Sequence, residues 1–86
     1  MENRQETINW CTDLVKSLLP SPEEISVKAT VDERGLLLTV FAVKDQLGQL
    51  IGKQGRNAEA LRTIMSMYGI RHDAHISLKI DDATRG

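Results

Sequence analysis

Cysteine is almost absent from this chain of 86 residues, which contains only Cys11. A single cysteine can form neither an internal disulfide nor a cysteine-rich zinc site, so the core must be stable without such crosslinks. A chain of this length buries a small core and has room for one domain. We expect a single domain over residues 1–86, with a core at about 5–81, a flexible tail at 82–86, and scope for a partner subunit to add stability.

Long apolar runs are absent as well. The longest stretches, residues 36–38 and 40–43, are far shorter than the roughly 20 residues that span a bilayer. The first seven residues are polar and of mixed charge, unlike the basic start and apolar segment of a secretory signal. These absences predict a cytoplasmic protein.

Aromatic residues are scarce and widely spaced along the sequence, at Trp10, Phe41 and Tyr68. RRM and OB domains stack bases on aromatic side chains that cluster on their strands, so this spacing argues against both folds. His72 and His75 are too few to ligate a metal, which needs three or four side chains, and no nucleophile accompanies a general base. The sequence therefore predicts no enzyme, no metal site and no cofactor.

Two familiar phosphate-binding loops do not fit this chain. The segment from Gly48 to Lys53 is one residue short of a P-loop, and Gln54 stands where serine or threonine would bind the metal. Leu50 occupies a position at which the dinucleotide fingerprint requires glycine. A nucleotide-hydrolysing or dinucleotide-binding protein is therefore not indicated.

Charge is unevenly distributed, although the net charge is only −1. Residues 50–71 carry a balance of +3, from one lysine and three arginines against one glutamate, whereas the rest of the chain carries −4. Such segregation can arise by chance in a short chain, or it can mark a local surface that faces anions. The overall acidity argues against a nonspecific polyanion binder, whose affinity comes from neutralising many phosphates.

Hydrophobic periodicity predicts a helix and then a β-hairpin in the first half of the chain. Apolar residues recur at spacings of three and four over residues 8–19, and Pro20 is expected to stop this helix. Residues 25–31 alternate with a period of two, as in a half-buried strand. Residues 32–35 predict a tight turn into a second strand at 36–43, which is apolar on both faces and so belongs in the sheet centre.

The second half predicts two helices and a third strand. Asp45 is a candidate N-cap for a short helix that ends at Gly52, and residues 56–67 form a second helix with Gly69 as its C-cap. The period returns to two at residues 74–81. Two helices are long enough for a crossover between parallel strands. The predicted fold is α+β, in the order α-β-β-α-α-β, with a three-stranded mixed sheet packed against helices.

The segment between the two later helices carries the chemistry. Gly52 and Gly55 enclose two polar residues, and glycines so placed let the chain turn and leave backbone amides to meet an anion. The first amides of the next helix add the positive end of its dipole, and Lys53 and Arg56 add formal charge. Two glycines at this spacing also occur in plain helix–helix turns, so the surrounding sequence decides between the two interpretations.

The residues around this loop resemble the signature of KH domains, whose core is I-G-x-x-G. Ile51-Gly-Lys-Gln-Gly55 reproduces that core within the segment at residues 45–62. The predicted order of helices and strands is similar to the type II KH arrangement, and the resemblance covers residues 5–81. In size and motif the chain resembles the small bacterial RNA-binding proteins that consist of a single KH domain.

The resemblance implies that the loop clamps the sugar-phosphate backbone of about four unpaired nucleotides. It also implies that Ile51, Ala58 and Leu61 offer an apolar floor to the bases, and that Arg71 borders the groove. The residues predicted to contact RNA are Ile51, Gly52, Lys53, Gln54, Gly55, Arg56, Ala58, Leu61, Arg62 and Arg71.

The predicted function is non-enzymatic binding of single-stranded RNA, as an RNA chaperone or a post-transcriptional regulator. The resemblance further implies a homodimer, or a heterodimer with a larger KH-containing RNA-binding protein. The alternative is a KH-like protein-interaction module with a vestigial nucleic-acid groove. The intact pair Lys53-Gln54 favours RNA, because a groove without a ligand has no need of two glycines flanked by positive charge.

Overall fold

The computed structural model describes residues 4–19 and 25–83, apart from the side chain of Asp45. Its helices and strands follow the predicted order and confirm the α+β fold that the resemblance to type II KH domains implied. Within these residues, no helix is both long enough and apolar enough to cross a bilayer. The elements are α1 (Arg4–Lys16), β1 (Ser26–Asp32), β2 (Gly35–Ala42), α2 (Lys44–Ile51), α3 (Arg56–Arg71) and β3 (Ile76–Asp82).

The three strands form one mixed sheet with β2 in the centre. β1 and β2 are an antiparallel hairpin whose turn is closed by Gly35 at φ 132°. β3 runs parallel to β2, with Leu36 opposite Ile76 at one end and Ala42 opposite Asp82 at the other. The strand order confirms the predicted central position of β2. The pairing of β2 with β3 confirms the predicted parallel arrangement, for which α2 and α3 supply the crossover.

The core lies between one face of the sheet and the helices. Along β2 every second residue is buried, and the residues between them are half-buried. The core cluster comprises Cys11, Val15, Leu19, Ile25, Leu36, Leu38, Val40, Ala42, Leu50, Leu61, Met65, Ile76 and Leu78. The period of two in the strands and the spacing of three and four in the helices therefore converge on one apolar layer.

The lone cysteine belongs to this core. Cys11 has no exposed surface, and burial raises the pKa of its thiol to about 11. A thiol with so high a pKa stays protonated at neutral pH and is a poor nucleophile. Cys11 is accordingly a small apolar packing residue.

Helix α1 begins and ends earlier than residues 8–19, the span that the apolar pattern predicted. After the helix, the amides of Leu18 and Leu19 each donate to the carbonyl three residues back, at 3.0 and 3.3 Å. These bonds form a turn that is narrower than an α-helical turn. Leu19 is buried by this turn, whereas Leu18 is 46% exposed. Pro20, the predicted helix stop, lies outside the described residues.

The start of α2 corrects the prediction that Asp45 is an N-cap. Val43 precedes the helix in extended backbone, with φ −73° and ψ 161°, and the helix begins at Lys44. Asp45 is therefore the second helical residue. Val43, the residue at the cap position, makes no side-chain hydrogen bond to this end of the helix.

The end of α3 corrects the prediction for Gly69. The helix continues to Arg71, and Gly69 is a buried residue inside it. A Cβ built on Gly69 would lie 2.6 Å from the carbonyl oxygen of Ala74, so the glycine allows the chain entering β3 to pass close to the helix. The left-handed residue that ends the helix is Asp73, at φ 55°.

The third strand is shifted from its predicted span of residues 74–81. It begins at Ile76 and includes Asp82, which the sequence placed in a flexible tail. Asp82 pairs with Ala42 of the central strand. Residues 84–86 of that predicted tail lie outside the described residues.

Candidate nucleic-acid interface

The loop between α2 and α3 is a tight turn in unusual backbone. Gly52 has φ 80° and ψ 172°, a region that only glycine occupies readily. Gln54 and Gly55 follow at φ 58° and 74°. Left-handed backbone costs a residue other than glycine about 1–2 kcal/mol, so Gln54 is held against its own preference. The segment is a strained, exposed loop and not a plain helix cap.

Three amides of the loop are used inside the protein. The amide of Gly52 donates to the carbonyl of Gly48 at 2.9 Å, and that of Gly55 donates to the carbonyl of Gly52 at 3.1 Å. The amide of Arg56 donates to the carbonyl of Lys53. For these three amides, the expectation that they are free to meet an anion is therefore corrected. Lys53 and Gln54 lie between the two glycines, and both are exposed at the tip of the loop.

The second glycine leaves one side of the loop open. A Cβ built on Gly55 would meet nothing within 4 Å, whereas one built on Gly52 would collide with Asn57. Gly55 is thus required by its left-handed backbone alone, and the space beside it is solvent. A ligand atom placed at this point would meet no protein atom within 4 Å other than those of Gly55 and its chain neighbours.

The predicted cations nearest the loop are accessible. Lys53 and Arg56 are exposed, and neither is in a salt bridge with another described residue. Arg62 lies farther along α3, where its guanidinium contacts Glu59 at 3.4 Å and donates through Nε to the carbonyl of Leu78 at 3.4 Å. Arg62 therefore connects α3 to β3, the strand at the edge of the sheet, and its charge is partly balanced by Glu59.

The predicted apolar floor is mostly internal. Leu61 and Ala58 are only 1% and 4% exposed, because this face of α3 packs into the core. Neither side chain presents surface to a base, and this corrects the role that the resemblance implied for them. Ile51 is half-buried at the end of α2 and remains the apolar candidate beside the loop.

Arg71 does not lie beside the loop. It is the last residue of α3 and is separated from Arg56 by the whole length of that helix, about 22 Å at 1.5 Å per residue. It also follows Arg62 by nine residues, about two and a half turns, so the two side chains leave opposite sides of the helix. The predicted basic set is therefore divided, with Lys53 and Arg56 at the loop, Arg62 turned toward β3, and Arg71 at the far end of α3.

Arg71 instead borders a group of rings that the sequence did not reveal. The rings of Trp10 and Tyr68 stack with centroids 4.8 Å apart, and those of Tyr68 and His72 stack at 4.3 Å. The aromatic cluster, as we call Trp10, Tyr68 and His72 with the adjoining Ile64 and Met67, lines a shallow cavity of about 370 Å³. Trp10 is 41% exposed and Met67 is 60% exposed, so this is an apolar surface open to solvent.

Two of the three aromatic residues that are widely spaced along the sequence, Trp10 and Tyr68, are therefore in contact in the fold. Trp10 and Tyr68 are far apart in sequence, and α1 and α3 bring them together. The only local signal was the position of Trp10 beside the apolar stripe of α1 and not within it.

Among the described residues, no group of three or more histidine, cysteine or acidic side chains is placed to hold a metal ion.

Comparison with known proteins points to one family. The family model for the KH domain of KhpA and KhpB matches residues 10–80. The RNA-binding protein KhpA of Listeria monocytogenes is 34% identical over 67 residues, which cover 78% of this chain and 88% of that protein. Those of Clostridium acetobutylicum and Chlamydia pneumoniae are each 30% identical over 67 residues, covering 78% of this chain and 89% and 86% of theirs. No solved structure gives a significant match.

Proposed function

Because the chain belongs to the KhpA/KhpB KH-domain family, we propose that it binds single-stranded RNA at the loop of residues 52–55. The observation that carries the proposal is the strained turn, in which Gly52, Gln54 and Gly55 hold positive φ and the two residues between the glycines are exposed. Strained backbone persists where the rest of the fold enforces it, and it is concentrated at binding sites.

In the proposed mode of binding, the RNA backbone approaches from the open side of Gly55. The amides and side chains of Lys53 and Gln54 contact phosphate oxygens, and the N-terminus of α3 contributes the positive end of its dipole. Arg56 adds a further charge. Unpaired bases then lie toward Ile51 and the edge strand β3, a direction that needs no aromatic platform.

This role is a binding role without catalysis. We place it in the cytoplasm, where a small protein that grips short unpaired segments can act as an RNA chaperone or a post-transcriptional regulator. A clamp on the backbone of a few nucleotides favours strands whose bases can splay, so an unstructured RNA should bind more tightly than a perfect duplex. The affinity should also fall with added salt, with a slope that reflects about two to four phosphates.

The proposal is tested by replacing both residues at the loop tip. Lys53→Asp with Gln54→Asp changes the local charge by about three units at the point of phosphate approach, so affinity for a short unstructured RNA should fall beyond detection. Both side chains are exposed, and the free energy of unfolding should stay within about 0.5 kcal/mol of the parent.

A matched control for this variant exists on α1. Lys16→Asp with Gln5→Asp makes the same change of composition at two exposed positions outside the loop, and it should keep most of the affinity. If the loop variant is folded and binds RNA like the parent, the proposed site is wrong. The protein-interaction alternative then becomes the better account.

The aromatic cluster supports a second part of the proposal, which is self-association. A second copy of the chain suits this surface because most of its exposed groups are apolar and can pack against the same groups of the other copy, with the charge of Arg71 at its border. The cluster lies away from the loop, so two copies joined there would leave both loops free for RNA. A chain with so small a core also gains from burying this surface.

Met67→Glu tests self-association, since Met67 is 60% exposed and the change removes no core contact. Sedimentation of the parent should show a mass that rises with concentration, and the variant should remain a monomer at the same concentrations. A parent that stays monomeric alone but gains mass with a larger KH-containing protein would identify the heterodimer instead. A monomer in both conditions would exclude the aromatic cluster as a dimer contact.

A further inference from the structure

One side chain outside the predicted set joins the two helices that flank the loop. Asn57, the second residue of α3, donates through Nδ2 to the carbonyl of Gln49 in α2 at 3.0 Å. That carbonyl is among the last four of α2, which have no partner within their own helix. The side chain of Asn57 therefore closes the end of one helix from the start of the next.

The same side chain also packs against the first residue of the turn, Gly52. A Cβ built on Gly52 would lie 2.7 Å from Cγ, 2.8 Å from Nδ2 and 2.9 Å from Cβ of Asn57. Asn57 thus packs directly against the α-carbon of Gly52. Asn57, which follows the four-residue turn, thus holds its leading end twice, by a hydrogen bond to the residue Gln49 before it and by van der Waals contact with its first residue, Gly52.

We propose that Asn57 is a positioning residue that holds the loop of residues 52–55 in the conformation that receives RNA. This inference rests on the proposed function and assigns to Asn57 no contact with the ligand. The need for such a residue follows from Gln54, whose left-handed backbone is unfavourable in isolation and must be enforced by the surroundings. If the turn relaxes, only a fraction of the molecules is competent, and the apparent affinity falls by that fraction.

The two interactions of Asn57 can be separated by two substitutions. Asn57→Leu keeps a side chain of the same branched shape against Gly52 but loses the donor to Gln49, whereas Asn57→Ala loses the donor and the contacts of Cγ and Nδ2 and keeps only that of Cβ. Loss of one exposed, neutral hydrogen bond should weaken RNA binding by about two- to fivefold, and the alanine variant should bind no more tightly than the leucine variant. Gln49→Ala is the matched control, since it removes the side chain of the acceptor residue and leaves its carbonyl in place.

The loop itself should be measured without RNA. Amide hydrogen exchange and NMR chemical shifts of residues 52–56 in the free protein should change in both Asn57 variants and not in the Gln49 variant. Exchange in β2 and β3 should stay as in the parent. A general loss of stability would instead accelerate exchange throughout the sheet, so this readout separates positioning of the loop from a merely structural role.

The outcomes distinguish this inference from the proposed function. If the loop amides of Asn57→Leu behave as in the parent, Asn57 does not hold the loop and the inference is overturned. If they change but RNA affinity does not, the loop conformation is irrelevant to binding and the inference is overturned as well. If the parent itself binds no RNA, the proposed function fails and the inference fails with it, even where the free loop responds as expected.

Discussion

The two ends of α3 share the same backbone features but expose different kinds of side chains. At each end a residue other than glycine is left-handed, Gln54 before the helix and Asp73 after it. At each end a glycine makes room for a close neighbour, Gly52 for Asn57 and Gly69 for the chain entering β3. The first end exposes charge and polar groups, whereas the second exposes the aromatic cluster. Backbone strain and close packing therefore do not by themselves identify a binding site. The side chains exposed at each end determine which ligand that end can bind.

The largest expected effect is on the free energy of unfolding, when the glycine at each end of α3 is replaced by alanine. Gly52→Ala combines glycine-only backbone with a collision against Asn57 and should lower the free energy of unfolding by about 2–4 kcal/mol. Gly69→Ala has ordinary helical backbone and gains helix propensity, but its Cβ meets the carbonyl of Ala74. The net cost there should be about 1–2 kcal/mol.

Chemical denaturation measures both costs, and RNA titration of the folded variants separates the two ends. Gly52→Ala should also lose RNA affinity, while Gly69→Ala should keep it once the protein is fully folded. An equal loss of affinity in both variants would show that the ends are coupled, and the division into two independent surfaces would then be wrong.

A smaller effect should separate the two arginines that end the helix. Arg56→Ala removes a charge beside the loop, and it should weaken RNA binding by about three- to tenfold and lower the salt slope by about one. Arg71→Ala removes the same charge about 22 Å away and should change the affinity by less than about twofold. Titrations at several salt concentrations measure both quantities. A comparable loss at Arg71 would extend the RNA path along α3 and restore the predicted role of that residue.

The smallest effect concerns the two left-handed residues. Gln54→Gly and Asp73→Gly each relieve backbone strain but add freedom to the unfolded chain, so both should change the free energy of unfolding by no more than about 0.5–1 kcal/mol. Only Gln54→Gly should weaken RNA binding, by about twofold, because it removes a side chain at the loop tip. If Asp73→Gly has the same effect on binding, the strain at the loop has no special relation to RNA.

Features that depend on neighbouring residues in sequence were predictable. The sequence offered a glycine with positive φ for the hairpin turn at Gly35, and the chain between β2 and β3 was long enough for a crossover and so allowed parallel pairing. The loop was visible in the residues from Ile51 to Gly55. Each of these is governed by local backbone chemistry that a single stretch of sequence contains.

Features that depend on packing were not predictable in the same way. Gly69 fits equally well as a helix cap and as a point of close approach, and only the position of Ala74 decides between them. The burial of Leu61 follows from which face of α3 meets the sheet. The contact of Trp10 with Tyr68 joins two helices that are separated by the whole hairpin. Tertiary contacts of this kind leave no pattern within a window of the sequence.

The parallel pairing of β2 with β3 has a consequence for how the protein is made. The hairpin of β1 and β2 is local and can form as soon as its strands exist, whereas Leu36 meets Ile76 only after both intervening helices have been synthesised. Contacts so distant in sequence slow folding, because the entropy of closing the chain is lost before the contact forms. Arg62 likewise has no strand to contact until Leu78 arrives. If the loop is the RNA site as proposed, a nascent chain that displays the loop but lacks β3 should not bind RNA there until the last strand has docked.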